Sequence, residues 1–127
     1  MTDDKKTVLV IDDEPDTRVF ITTLLEDNGY ETVTASDGME GLEKVKAGAP
    51  DLITLDITMP EKSGAGFYKE MRQTEEWKGI PIIIVTGISN DFEKFISTRR
   101  KVPPPEGYVT KPIDQAKLLE LAAKLTS

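Results

Sequence analysis

The chain has 127 residues, of which 38% are hydrophobic and 31% charged, a composition typical of one soluble globular domain with a buried core. The formal net charge of −7 argues against a nucleic-acid-binding module, which needs a basic face, and against binding to an anionic membrane surface. The sequence contains no cysteine and no histidine, which excludes a disulfide framework, a thiolate nucleophile and any Ser–His or Cys–His catalytic pair.

The first predicted elements are a strand and a helix. Residues 7–12, TVLVID, form a nearly continuous apolar run, which is typical of a strand buried on both faces of a parallel sheet. A helix is predicted from Pro15 to Asn28, because proline suits the first helical turn and Gly29 suits the position after the last. The apolar face of this helix is expected to consist of Phe20, Ile21, Leu24 and Leu25.

Two further pairs of strand and helix follow. They are a short strand at 30–35 (YETVTA), a helix at 37–48 (DGMEGLEKVKAG), a buried strand at 51–56 (DLITLD) and a helix at 65–73 (AGFYKEMRQ). Gly48 is expected to end the helix at 37–48, whereas Gly38 and Gly41 weaken it.

The remaining predicted elements complete the alternation. They are a buried strand at 80–86 (IPIIIVT), a helix at 90–101 (NDFEKFISTRRK), a strand at 107–110 (GYVT) and a helix at 113–126 (IDQAKLLELAAKLT). The segment VPPPEG at 102–107 is unusual, since three prolines cannot continue a helix and favour an extended path. Strand and helix alternate five times, which predicts a parallel sheet covered by helices on both faces.

Polar residues stand at the carboxyl ends of these strands, where ligands bind in open α/β sheets. Asp12 and Asp13 end the first strand, Asp56 the third and Thr86 the fourth, and Lys111 follows the fifth. Clustered carboxylates repel each other, so either one is protonated or a cation is present, and hard oxygen ligands suit Mg²⁺. An ammonium and a hydroxyl nearby suit the oxygens of a phosphoryl group, which an aspartate carboxylate can accept.

Four motifs, VLVIDDEPD, LDITMPEKSG, IIIVTG and GYVTKP, occur in this order along the chain. Together they resemble the receiver domain of bacterial two-component response regulators, of the chemotaxis-regulator type, over essentially the whole chain. The resemblance implies a flavodoxin-like (βα)5 doubly wound domain with a parallel sheet in the strand order 2-1-3-4-5. It also implies that residues 1–127 are a stand-alone receiver, with a core at about 7–126 and no output domain.

The resemblance assigns roles to the acidic residues and the lysine. Asp56 is the expected phosphoacceptor, and Lys111 the ammonium that pairs with Asp56 and later with its phosphate. Asp12, Asp13 and Asp56, with the backbone carbonyl of Thr58, are the expected ligands of Mg²⁺ or Mn²⁺.

The resemblance also implies a switch. Thr86 is the expected switch hydroxyl and Tyr108 the switch aromatic, and a cis peptide bond is expected between Lys111 and Pro112. Gly87 stands where a small residue, commonly alanine, is usual, so access to the phosphoryl group should stay open.

The function implied is that of a phosphorylation-dependent signalling switch and not a metabolic enzyme. A partner histidine kinase or phosphotransfer protein supplies the phosphoryl group, because a chain without histidine cannot be the phosphohistidine donor. The only reactions expected of the chain are self-phosphorylation from a donor and self-dephosphorylation. The switch then changes affinity for a target protein or relays the phosphate, as a monomer or a phosphorylation-linked homodimer.

The target surface is predicted on the fourth helix, fifth strand and fifth helix, at 90–101, 107–110 and 113–126. In the fifth helix, Leu118, Leu121, Ala122 and Leu125 form the core-facing stripe. Leu119 and Ala123 form a second apolar strip that the core is not expected to need, which suits a contact patch.

No apolar run reaches the roughly 18 residues of a membrane span, and the start of the sequence lacks the pattern of a signal peptide. We therefore expect a cytoplasmic location.

Alternatives remain at this point. Asp12 and Asp13 alone could cap a helix, and Tyr108 alone could be half-buried packing. A phosphohydrolase of the haloacid-dehalogenase type also uses a strand-end aspartate with Mg²⁺, but it expects a second acid where this chain has Thr58, and a larger chain. A flavodoxin-like FMN module is disfavoured, because acids follow the first strand where a phosphate-binding loop would have glycine, serine and threonine.

Overall fold

The computed structural model of the protein describes residues 5–56, 63–86, 106–110 and 113–126. Its strands are β1 (Thr7–Ile11), β2 (Glu31–Ala35), β3 (Leu52–Asp56), β4 (Ile82–Thr86) and β5 (Gly107–Thr110). They pair in parallel to form one five-stranded sheet in the order β2-β1-β3-β4-β5. The predicted α/β class and strand order are confirmed.

Four helices are described, and they connect and cover the strands. They are α1 (Pro15–Asp27), α2 (Gly38–Ala47), α3 (Ser63–Gln73) and a C-terminal helix (Gln115–Thr126). The predicted helix at 90–101 and the prolines at 103–105 lie outside the described residues. Among the described helices, none combines the length and apolar character that crossing a membrane requires.

The helix ends follow their predicted signals. Pro15 stands in the first turn of α1, and Gly29, just beyond its end, has a φ of 92°, a left-handed conformation that favours glycine. Asp37 caps α2, where its side chain accepts a hydrogen bond from the amide of Glu40 at 2.8 Å. Gly48 is the C-terminal capping residue of α2, as predicted.

The structure differs from the prediction at the start of one strand and on the apolar face of α1. The strand predicted at 80–86 begins only at Ile82, because the amide of Ile80 donates to the carbonyl of Trp77 at 3.0 Å and closes a turn. Phe20 was placed on the apolar face of α1 but is 42% exposed. Each residue turns the helix by about 100°, so the stripe that faces the sheet is narrower than predicted and excludes this ring.

The core consists of two apolar clusters, one on each face of the sheet. Along β1 the side chains alternate, so that Leu9 and Ile11 join the cluster beneath α2 and α3. Val8 and Val10 join the second cluster, beneath α1 and the C-terminal helix.

The C-terminal helix packs more completely than its sequence pattern predicts. Leu118 and Ala122 are fully buried, and Leu121 and Leu125 are partly buried against the second cluster, as predicted. Leu119, however, also packs against that cluster, whereas Ala123 is exposed. The prediction that the core does not need Leu119 is therefore wrong, because the sheet and α1 offer a wider apolar surface than one helical stripe covers.

The glycine in the middle of α2 is explained by close packing. A Cβ atom built on Gly41 would lie 2.6 Å from the Cδ1 atom of Ile11 and 3.1 Å from the Cε1 atom of Phe67. Both side chains are buried, so they have little room to move aside. The glycine that weakens α2 as a helix thus allows α2 to approach the sheet and α3.

We expect Gly41→Ala to lower the free energy of unfolding, since a cost of about 1–3 kcal/mol for overpacking outweighs a gain of roughly 1 kcal/mol in helix propensity. Gly66→Ala in α3 is the matched control, because a Cβ there meets nothing within 4 Å among the residues that the structure describes. This control should stabilise the protein by about 0.5–1 kcal/mol. Urea denaturation of both variants measures the difference, and a stabilised Gly41→Ala would contradict the packing argument.

Candidate functional site

The register of the sheet brings the carboxyl ends of the central strands to one edge. Ile11 of β1 pairs with Leu55 of β3, so Asp12 and Asp56 follow directly at neighbouring positions. Asp56 in turn pairs with Val85 of β4. Residues far apart in the sequence therefore meet where ligands bind in sheets of this type.

Three carboxylates form a cluster at this edge. The carboxylate oxygens of Asp12, Asp13 and Asp56 lie within 4.8 Å of one another. Asp12 and Asp56 are only 1% and 2% exposed, whereas Asp13 is open to solvent. Buried carboxylates so close together need compensating charge or hydrogen bonds.

This donor set fits a hard divalent cation. It offers only oxygen ligands, which Mg²⁺ and Mn²⁺ prefer. Two of the three carboxylates, those of Asp12 and Asp56, are buried. The open side at Asp13 suits Mg²⁺ in particular, because this ion usually retains several waters when it binds to protein carboxylates.

Backbone and side-chain hydrogen bonds hold Asp12 in place. Its amide donates to the carbonyl of Ala35 at 3.1 Å, and its Oδ1 atom accepts from the amide of Glu14 at 2.9 Å. The residue that caps α1 is Glu14, so the alternative that the acid pair serves as the helix cap is wrong. Asp12 instead shapes the turn that leads from β1 into α1.

Arg18 is a site residue that the sequence reasoning missed. Its Nη1 atom donates to the carbonyl of Asp12 at 2.6 Å, which adds a positive charge beside the acidic cluster and fixes the turn. The available signal was an arginine in the first turn of the helix that follows the acid pair.

The other predicted site residues are described in part or not at all. Thr86 ends β4, and its partner in the register is Thr110, the residue before Lys111 in the chain. The side chain of Thr86, the whole of Thr58, and the Lys111–Pro112 bond lie outside the described residues.

Tyr108 lies in the middle of β5. It pairs with Ile84 and is 38% exposed, and burial of its remaining surface raises the pKa of the phenol. Its neighbour Val109 belongs to the cluster beneath the C-terminal helix, so Tyr108 faces the α3 side of the sheet.

Comparison with known proteins gives a consistent result. The sequence matches the family model described as the response regulator receiver domain over residues 8–123. Polar-differentiation response regulator DivK of Brucella ovis is 32% identical over 115 residues, which cover 91% of this chain and 91% of DivK.

Hybrid signal transduction histidine kinase D of Dictyostelium discoideum is 36% identical over 121 residues, but the chain spans only 8% of the length of that protein. Among solved structures, chemotaxis response regulator CheY4 of Vibrio cholerae superposes with a TM-score of 0.81 at 29% identity. This match covers 95% of the present chain and 98% of CheY4.

Proposed function

The chain belongs to the family of response regulator receiver domains, which are phosphorylation-dependent signalling switches, and we propose that Asp56 is the residue that accepts the phosphoryl group. One observation carries this proposal. Asp56 is a buried carboxylate at the end of a central strand, within 4.8 Å of the carboxylates of Asp12 and Asp13. Burying a carboxylate costs free energy of folding, and a role as the phosphoryl acceptor explains why a carboxylate stands at this position.

The proposed reaction forms one bond and breaks one. A carboxylate oxygen of Asp56 attacks the phosphorus atom of the donor, and the bond between phosphorus and the donor's nitrogen or oxygen breaks with its electron pair leaving on the donor. The product is an aspartyl phosphate. Hydrolysis removes the group: water attacks the phosphorus atom, the bond between phosphorus and the Asp56 oxygen breaks, and inorganic phosphate leaves while the carboxylate is restored. Transfer from a donor and this hydrolysis are the only reactions we assign to the chain.

Asp12, Asp13, Asp56 and the backbone carbonyl of Thr58 would hold Mg²⁺ or Mn²⁺. When bound, the ion neutralises the carboxylates and the charge that develops on the phosphoryl oxygens. Within the chain, the hydrogen bonds from Glu14 and Arg18 keep Asp12 oriented towards the cluster.

Lys111, Thr86 and Tyr108 complete the proposed switch. Lys111 pairs with Asp56 and then with its phosphate, Thr86 donates to a phosphoryl oxygen, and Tyr108 turns inward into the space that Thr86 leaves. The register between β4 and β5 supports this grouping, because Thr86 pairs with Thr110, next to Lys111 in the chain. The cis bond at Pro112 remains a prediction.

Receiver domains interact with histidine kinases or histidine phosphotransfer proteins, and we propose such a donor for this chain. For the target we retain the predicted helix at 90–101, β5 and the C-terminal helix, although the packing of Leu119 removes one argument for this surface. A cytoplasmic location, stand-alone action and a phosphorylation-linked homodimer remain predictions.

The competing functions gain no support. The family model, DivK and CheY4 describe signalling proteins by name, and none of them names a phosphohydrolase or an FMN protein. The exposed carboxylate of Asp13 stands where an FMN phosphate would need donors.

The test is labelling with acetyl phosphate, followed by intact-mass spectrometry. With millimolar Mg²⁺ we expect one phosphoryl adduct per chain, because only one carboxylate of the cluster is the acceptor. The adduct should disappear when EDTA replaces Mg²⁺. The proposal fails if the protein takes up no phosphoryl group with Mg²⁺ present, or takes it up equally well in EDTA.

A further inference from the structure

A buried arginine lies at the opposite end of the sheet from the acidic cluster. Arg72, near the end of α3, is 6% exposed, and its Nη1 atom donates to the carbonyls of Lys78 and Ile80 at 2.9 and 3.0 Å. The guanidinium lies 5.1 Å from the centre of the Tyr68 ring, a distance typical of a cation–π contact. Arg72 thus ties the loop between α3 and β4 to the helix.

The second nitrogen of this guanidinium reaches the residue before β5. The Nη2 atom of Arg72 donates to the Oε1 atom of Glu106 at 2.5 Å, and the same oxygen accepts from the amide of Ile82 at 2.8 Å. The amide of Glu106 in turn donates to the carbonyl of Ile82 at 3.0 Å. Glu106 therefore bonds to the first residue of β4 with both its backbone and its carboxylate.

The strand that follows Glu106 is β5, and the hydrogen bonds between Glu106 and Ile82 hold its start against β4. Within the described part of the chain, β5 has four residues, lies at the edge of the sheet and pairs with β4 alone. An edge strand is hydrogen-bonded to a neighbour along one side only, so fewer bonds hold it in register. The prolines at 103–105 have no amide hydrogen, so Glu106 is the first residue after them whose backbone can donate to β4.

The residue after Glu106 adds a steric constraint. A Cβ atom built on Gly107 would lie 2.8 Å from the Cδ1 atom of Leu121, so the chain passes close to the C-terminal helix here. A slip of one residue would place a side chain at this contact. It would also exchange the faces of Tyr108 and the buried Val109.

We propose that Arg72 and Glu106 form a register lock, which sets β5 against β4 and so positions Tyr108 and Lys111 relative to the phosphorylation site. Arg72 and Glu106 are positioning residues in this inference, which rests on the proposed function for the roles of Tyr108 and Lys111. Arg72 and Glu106 contact each other just before the start of β5, whereas Lys111, whose position they would set, follows the end of β5.

The experiment compares Glu106→Ala with Glu75→Ala in the full chain. Glu75 forms an exposed ion pair with Lys78 at 3.0 Å in the neighbouring turn, so its variant also loses an ion pair but leaves the lock intact. For Glu106→Ala we expect hydrogen exchange at the amide of Ile82 to accelerate because its acceptor is removed. Exchange at Tyr108 should accelerate at least about tenfold, since the edge strand then opens locally. Glu75→Ala should exchange like the wild type.

The functional measurement is the rate of labelling by acetyl phosphate, well below the melting temperature. Misplacement of Lys111 should slow labelling of Glu106→Ala by about tenfold or more, whereas Mg²⁺ affinity should not change, because the acidic cluster lies at the ends of β1 and β3. A slower labelling rate with unchanged Mg²⁺ affinity indicates a positioning role. A mere loss of stability would leave the labelling rate of the folded protein unchanged.

A more conservative variant, Glu106→Gln, controls for the possibility that Glu106→Ala does not fold. Glu106→Gln retains an oxygen that can accept from Ile82 and Arg72, and it should fall between Glu106→Ala and the wild type in both measurements. Wild-type exchange at Tyr108, or a wild-type labelling rate, in the folded variants overturns the lock as a positioning device. Absence of labelling in the wild type overturns the proposed function instead, and the exchange rates alone then decide whether the lock exists.

Discussion

An Asp56→Asn variant is expected to take up no phosphoryl group from acetyl phosphate under conditions in which the wild-type protein is labelled. The substitution preserves shape and size at a position that is 2% exposed, so the fold should be retained. An amide oxygen carries no negative charge and is not a nucleophile towards phosphorus, so the loss should be complete. Intact-mass spectrometry measures it directly.

Asp51→Asn is the matched control. Asp51 precedes the same strand, and its Oδ2 atom accepts from the amide of Thr7 at 2.8 Å, a bond that asparagine can retain. This variant should be labelled like the wild type. Asp56→Asn should also be more stable than the wild type without metal, on the order of 1 kcal/mol, because one of three clustered charges is removed. A phosphoryl adduct of equal yield on Asp56→Asn would place the acceptor elsewhere.

Much of the fold could be predicted because the signals are local. Apolar runs identify the buried strands, and proline and glycine at the ends of α1 mark its limits. The acidic cluster was also predictable, since parallel strands bring Asp12 and Asp56 to one edge once both are placed at strand ends.

The remaining features depend on contacts between residues far apart in the sequence. Arg72 and Glu106 are 34 residues apart, and nothing local in either segment indicates that they pair. Leu119 is partly buried because the sheet and α1 present an apolar surface to it. The spacing of apolar residues within the helix does not reveal the width of that surface. Gly41 lowers helix propensity, and only its distance to Ile11 explains why glycine stands there.

The second large effect is expected from Mg²⁺. If the ion binds to the acidic cluster, it stabilises the folded protein by mass action, by about 1.4 kcal/mol at ten times its dissociation constant. For a domain of 127 residues this corresponds to a rise in melting temperature of roughly 5 °C. Above the dissociation constant the rise should continue in proportion to the logarithm of the Mg²⁺ concentration, because the ion binds to the folded state at one site.

Asp13→Asn is the most informative variant for this effect. Asp12 is buried and shapes the turn into α1, so its replacement would disturb the fold, whereas Asp13 is exposed. We expect Asp13→Asn to fold normally and to lose Mg²⁺ affinity by about tenfold or more. Mutation of residues that only orient metal ligands already lowers metal affinity by about 10–100-fold. Thermal unfolding in a Mg²⁺ titration measures the shift.

Asp27→Asn separates site binding from a general effect of the cation on an acidic protein. Asp27 is the exposed last residue of α1, and its substitution removes the same charge at the end of the helix that is far from the cluster. If Mg²⁺ binds at the cluster, Asp27→Asn keeps the full rise in melting temperature and Asp13→Asn loses most of it. Equal rises in both variants would show that the ion screens the net charge of −7 and does not bind at the ends of β1 and β3.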